Sequence, residues 1–110
     1  MDEVTVKLQE LINAMKKSED YVRYRELEAK LNNDPEMRQR IDQYRQRVFD
    51  MQQADRDLFE ETDYVLHEFN TLLTEQTASD FLDAEGAVCR MIQRVVDAIN
   101  REVDVKIPRV

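Results

Sequence analysis

The chain has very few of the residues that break helices or close tight turns. Its 110 residues include one glycine, two prolines and no tryptophan. Tight β-hairpin turns depend on glycine, so a chain this poor in glycine has few places for them. The composition therefore excludes a β-rich fold and favours an all-α chain, with residues 1–110 forming a single domain.

Cysteine and histidine are almost absent, with Cys89 and His67 as single copies. One cysteine cannot form a disulfide within the chain, which agrees with a reducing, cytoplasmic location. Because the usual zinc sites need more than one histidine or cysteine, a single histidine argues against them. Glu60 and Asp63 do share a helical face with His67. We interpret that face as a solvated polar surface and Cys89 as a small buried side chain. The prediction is a protein that is not an enzyme and has no metal or cofactor.

Long apolar runs and positive charge are also missing. Apolar runs reach only two or three residues, so we expect no membrane span. The net charge is −8, and residues 51–110 carry six basic side chains against thirteen acidic ones. Proteins that bind phosphate backbones show the opposite balance, so no direct contact with nucleic acid is expected.

What the chain does have is a heptad pattern through its centre. Apolar residues recur at alternating spacings of four and three, with Asp55 and Thr62 as polar exceptions. Such a pattern is typical of a helix that packs along one narrow edge. The predicted oligomer seam consists of Met37, Ile41, Tyr44, Val48, Met51, Leu58, Val65, Phe69 and Leu72.

The heptad pattern predicts one long central helix at about 35–76, opened by Asp34 and Pro35. The alternative is a break at 53–57, where Asp55 or Asp57 would cap a new helix. A continuous helix of 42 residues would be about 63 Å long, more than a chain of this size can cover. We therefore expect three to four helices in an antiparallel bundle that is completed by a homodimer or higher oligomer.

Apolar periodicity places further helices on either side of the central one. Residues 2–17 and 19–32 form two amphipathic segments with Ser18 as the cap between them. The last helix is predicted at about 78–103, followed by an extended tail at 104–110. Gly86 lies inside this helix, where it predicts a close crossing with a neighbouring helix.

Four arginines beside the seam form the main basic cluster: Arg38, Arg40, Arg45 and Arg47. Charged residues that flank a heptad seam usually form ion pairs. The alternative is a docking site for a partner, and both interpretations stay open at this point.

Several short segments in order resemble the YlbF/YmcA family of small helical bacterial proteins. They are Ser18–Tyr21, Asn33–Glu36, Asp80–Glu85 and Val105–Pro108, so the resemblance spans nearly the whole chain. It implies a regulatory role in competence, sporulation and biofilm formation. It also implies protein partners, namely RNase Y and a YaaT-like protein, in a complex that promotes mRNA processing.

The chain departs from this family in its cysteines. The founding members use several in binding iron–sulfur clusters, whereas a cluster needs about four thiolates and this chain has only Cys89. No ligand residue is therefore carried over. The alternative function is a structural or chaperone-like coiled-coil subunit without a role in RNA processing.

Overall fold

The fold consists of helices joined by short connections. The computed structural model describes residues 2–53 and 58–105. For residues 58–61 it describes the backbone alone. Within these residues there are six α-helices and no β-strand. They are α1 (Glu3–Lys17), α2 (Glu19–Asn32), α3 (Pro35–Gln53), α4 (Leu58–Glu68), α5 (Asn70–Thr74) and α6 (Gln76–Glu102). The all-helical prediction is confirmed, but the expected three to four helices are wrong, since the described residues form six.

Side-chain caps set the first helix boundaries at the predicted positions. The Ser18 hydroxyl accepts the Tyr21 backbone N–H at 3.2 Å and donates to the Met15 carbonyl at 2.6 Å. The Asp34 carboxylate accepts the Met37 backbone N–H at 3.1 Å. Each cap satisfies a backbone donor that the first turn of a helix leaves without a partner.

We expect Ser18→Ala to lower the free energy of unfolding by about 1 kcal/mol, because the cap of α2 is lost. Urea denaturation followed by circular dichroism measures this change. Ser79→Ala, inside α6, is the matched control and should change stability by no more than about 0.5 kcal/mol. Equal effects of the two substitutions would contradict a capping role for Ser18.

The central helix is not continuous, and this part of the prediction is wrong. Arg47 Nε lies 3.5 Å from Glu68 Oε2, and the rings of Tyr44 and Phe69 are 5.3 Å apart. In one straight helix, residues 47 and 68 would be about 31 Å apart. The chain therefore reverses between Gln53 and Leu58, so that α3 and α4 form a hairpin.

The physical reason for the reversal is that the two halves of the seam cover each other. Met51 on α3 and Thr62 on α4 are in contact, with Sδ and Oγ1 3.8 Å apart. The alternative prediction, a break at 53–57, agrees with the end of α3 at Gln53 and the start of α4 at Leu58. Residues 54–57 themselves lie outside the described residues. The predicted tail at 104–110 also lies mostly outside them, since the description ends at Val105.

The core lies where α2 and α6 pack against each other, with α3 against α2 and α5 against α6. Tyr24 of α2 meets Phe81 of α6 with ring centroids 5.5 Å apart. The five fully buried residues of this cluster are Leu31, Ile41, Leu72, Ala78 and Phe81. Tyr24, Leu27, Met37, Tyr44, Phe69 and Leu82 pack around them.

The fold is flat and open. Its extents are 48 × 41 × 18 Å and its radius of gyration is 18.2 Å, against about 13 Å for a compact domain of this length. Helix α1 has no buried residue, and α6 has none beyond Ala84. Helix α1 and the part of α6 after Ala84 therefore extend from the core without a fully buried residue.

Gly86 does not mark a close helix crossing as predicted. A methyl group built there would meet only the guanidinium tip of Arg90, at 3.1 Å. That tip can move aside, because it is the end of a long flexible side chain.

We expect Gly86→Ala to raise the free energy of unfolding by about 0.5–1 kcal/mol, since alanine favours the helix. Urea denaturation measures the gain. In an Arg90→Ala background the gain should be at least as large, because the one nearby side chain is shortened. A loss of stability in both backgrounds would contradict the open surroundings of Gly86.

Candidate interaction surfaces

The predicted seam residues lie mostly inside the α3–α4 hairpin and the core of one chain. Ile41 and Leu72 are fully buried, and Val65 and Met51 expose no more than 9% of their surface. Met37, Tyr44, Val48 and Phe69 are half-buried, and the side chain of Leu58 lies outside the described residues. The structure gives these residues contacts within the chain. Their contact with a second copy stays a prediction.

The arginine cluster makes ion pairs on the surface of α3. Arg45 lies 3.0 Å from Glu85 and 3.4 Å from Asp42, which also lies 3.4 Å from Arg38. The guanidinium of Arg38 also lies over the Phe81 ring at 5.6 Å. Arg47 pairs with Glu68 across the hairpin, and Arg40 is half-buried on the same helix. Partly exposed pairs of this kind contribute at most about 1 kcal/mol each, so they fix side-chain positions more than they stabilise the fold.

Two helices each expose an apolar face. We name them the α1 face and the α6 face. The α1 face exposes Val4 (77%), Leu8 (52%) and Leu11 (36%) and continues to the half-buried Ile12 and Met15. The α6 face exposes Ile92 (47%), Val96 (42%), Ile99 (50%) and Val103 (68%), with Val88 and Val95 half-buried. Apolar residues that follow one helix face are normally covered by a neighbour.

The two faces meet at a small apolar cavity of about 180 Å³. Ile12 and Met15 line it from α1, Tyr21 from α2, and Val88 and Ile92 from α6. Beyond this point the two helices are in little contact with each other. The α1 face and the α6 face therefore both begin at this cavity and extend away from it.

These faces were not recognised as exposed from the sequence, although a signal was present. Their apolar periodicity was assigned to the core of a bundle. Helix α6 has 27 residues, whereas α2, which packs against it, has 14. A partner of half the length cannot cover the whole stripe, so part of it must lie bare in one chain.

Cys89 is exposed, which corrects the prediction of a buried side chain. It lies on the flank of α6 beside an open groove of about 490 Å³ that Val48, Phe49 and Leu82 also line. Phe49 itself is 55% exposed.

The remaining chemistry-bearing groups are dispersed. Among the described residues no three His, Cys, Asp or Glu side chains gather as a metal site would require, and the Glu60 side chain lies outside that description. Tyr24 donates a hydrogen bond to Glu28 at 3.2 Å. Partial burial, followed by the nearby Glu28 charge, raises the pKa of the Tyr24 hydroxyl above its usual value.

A protein-family model described as "Control of competence regulator ComK, YlbF/YmcA" matches residues 4–104. The chain belongs to the YlbF/YmcA family. The match confirms the resemblance found in the short segments and covers five of the described helices completely and nearly all of α1. The description implies a role in the control of the competence regulator.

No curated protein and no solved structure matched the chain. Within residues 2–53 and 58–105, no helix combines the length and the apolar character that crossing a bilayer requires.

Proposed function

We propose that this YlbF/YmcA-family chain is a non-enzymatic regulatory adaptor that works through contacts with other proteins. The observation that carries the proposal is the α1 face. Helix α1 buries none of its residues, yet its apolar side chains follow one side and Leu8 is 52% exposed. An amphipathic helix of this kind is a common way of docking into an apolar groove of a partner.

By family resemblance, the partners are RNase Y and a YaaT-like protein, in a complex that modulates mRNA processing. The adaptor acts in the cytoplasm as a homodimer or higher oligomer, with roles in competence, sporulation and biofilm formation. Acidic surfaces on the chain, whose net charge is −8, would steer basic partners towards it.

The test compares two lysine substitutions on α1, Leu8→Lys and Gln9→Lys. Both add one positive charge at an exposed site, but only Leu8 belongs to the α1 face. We expect Leu8→Lys to lose binding to purified RNase Y or YaaT-like protein and to lower competence in the native cell. Gln9→Lys should behave as the unchanged chain does. Full binding and competence with Leu8→Lys would contradict the proposal.

A chaperone-like subunit is a second candidate, favoured by one observation. Val4 at the start of α1 and Val103 at the end of α6 are 77% and 68% exposed, and exposed apolar ends are what such a protein would need. Suppression of the aggregation of a heat-unfolded client by the purified chain would support it. Specific binding of RNase Y or the YaaT-like protein, without suppression, supports the adaptor instead.

A further inference from the structure

The outer side of α6 carries a row of arginines. Arg90, Arg94 and Arg101 are all exposed. At about 100° per residue they lie within about 40° of one another, on the side of the helix opposite Ile92 and Ile99. We name these three residues the arginine stripe. It is separate from the α6 face, whose residues are apolar and lie on the other side.

Within the described residues, the arginine stripe takes part in no ion pair. Asp97 lies between Arg94 and Arg101 on the same side of α6, where it could pair with either one. Its carboxylate instead accepts a hydrogen bond from the Gln93 amide at 2.8 Å. Five other arginines each lie within 4.0 Å of a carboxylate, namely Arg23, Arg25, Arg38, Arg45 and Arg47. The stripe is therefore open to an anionic partner.

Gly86 leaves space for the first arginine of the stripe. The Arg90 guanidinium lies back along α6, with Nη1 3.1 Å from the place where a Cβ at Gly86 would be. A glycine inside a helix costs about 1 kcal/mol relative to alanine. Contacts within the described chain do not offset that cost, since no neighbouring helix crosses closely at Gly86. Positions that break a local rule of stability are commonly functional, which indicates a role for the placement of Arg90.

The spacing of the stripe matches carboxylates on a second helix. At about 1.5 Å per residue, the second and third arginines lie about 6 and 16.5 Å along α6 from the first. Glutamates at i, i+4 and i+11 of a parallel helix, or at i, i+7 and i+11 of an antiparallel one, have the same spacing. In an extended segment these distances correspond to about two and five residues, so the third carboxylate would point to the opposite face. A helix therefore fits the stripe better than an extended segment.

A protein segment with separate carboxylates also fits the stripe better than RNA does. Asp97 lies inside the stripe, and the chain has a net charge of −8. Both oppose a continuous row of phosphates. A partner helix needs carboxylates only opposite the arginines and can carry another residue opposite Asp97. Each arginine can bind a carboxylate through two parallel hydrogen bonds, which makes the contact specific.

We propose that the arginine stripe docks an acidic helix of a partner protein and that Gly86 positions Arg90 for this contact. The proposal rests on the proposed function, an adaptor that binds other proteins, and it adds a second surface and the charge of its partner. That partner is acidic at the contact, unlike the basic partners that the acidic surfaces of the chain attract.

The probes are two fluorescein-labelled, alanine-based helical peptides. One carries glutamates at i, i+4 and i+11, and the other carries them at i, i+7 and i+11. Fluorescence anisotropy at low salt measures the dissociation constant for the unchanged chain. We expect one glutamate peptide to bind at least tenfold more tightly than the same peptide with glutamines. If neither does so, the proposal is wrong.

Substitutions in the stripe locate the contact. The double variant Arg90→Gln/Arg94→Gln should raise the dissociation constant of the glutamate peptide at least tenfold. Lys30→Gln also removes one positive charge at an exposed site, but on α2, and should leave the constant unchanged. Equal weakening by Lys30→Gln and by Arg94→Gln alone would show that total charge, and not the stripe, governs binding.

Gly86→Ala tests the positioning of Arg90. We expect it to raise the dissociation constant at least threefold although it makes the fold more stable, because the added methyl group displaces the guanidinium. In an Arg90→Ala background the same change should leave peptide binding unaltered, since no guanidinium is left to displace. A merely structural glycine would not separate stability from binding in this way. Unchanged peptide binding by Gly86→Ala alone overturns the role of Gly86.

Two further measurements separate the alternatives. A single-stranded oligouridylate that binds more tightly than the glutamate peptides, and loses binding in the double arginine variant, would show that the stripe is a nucleic-acid site and overturn the proposal. Leu8→Lys should bind the glutamate peptide as the unchanged chain does, because Leu8 belongs to the α1 face. Failure of the α1 face in its own test is therefore distinguishable from failure of the stripe.

Discussion

Replacing Phe81 with alanine is expected to lower the free energy of unfolding by about 3–5 kcal/mol. Phe81 is fully buried at the centre of the core. Its ring contacts Tyr24 on α2, and the guanidinium of Arg38 on α3 lies over its face. Alanine would remove both contacts at once and leave a cavity between three helices, which rigid neighbours fill only in part. Urea denaturation measures the loss.

Phe49→Ala is the matched control, since it makes the same chemical change at a residue that is 55% exposed. We expect it to change stability by no more than about 0.5 kcal/mol. If the two alanine variants were equally stable, Phe81 would not lie at the junction of α2, α3 and α6.

Much of the fold was predictable because the signals are local. Ser18 and Asp34 cap helices through their own side chains and the backbone three residues away, so the sequence contains both members of each contact. The near absence of glycine and proline likewise predicted long helices.

The reversal between α3 and α4 was not predictable from the heptad spacing. An apolar stripe has the same period in one long helix and in two helices that fold onto each other. What decides between them is whether Tyr44 and Phe69 meet within one chain, and that contact spans 25 positions in the sequence. The periodicity fixes which side of each helix is apolar. It does not fix what covers that side.

The same reasoning explains the outcome for the candidate surfaces. The sequence showed apolar stripes on the first, central and last helices, and the central stripe was assigned to contacts between copies. The structure covers Ile41 and Leu72 of the central stripe from within and leaves Leu8 and Ile99 exposed. Helix lengths, which were known only approximately, decide which stripe lacks a neighbour. This is the step at which residue patterns alone stop being sufficient.

Leu72→Asp distinguishes a seam between copies from a core within one chain, and we expect it to unfold the protein. Leu72 is fully buried against the core cluster. The cluster around it is apolar, and an uncompensated buried charge costs several kcal/mol, a large part of the total stability of about 5–15 kcal/mol. Far-UV circular dichroism should therefore show loss of helix.

Leu66→Asp makes the same change on α4 at a side chain that is 46% exposed, and it should keep its helix content. Light scattering of the same samples completes the comparison. If Leu72 belonged to an interface between copies, its aspartate variant would remain helical while its mass fell to that of a monomer. Burial at 0% in one chain requires the other result, because a charge at this position must break the packing of α5 on α6 before it can reach water.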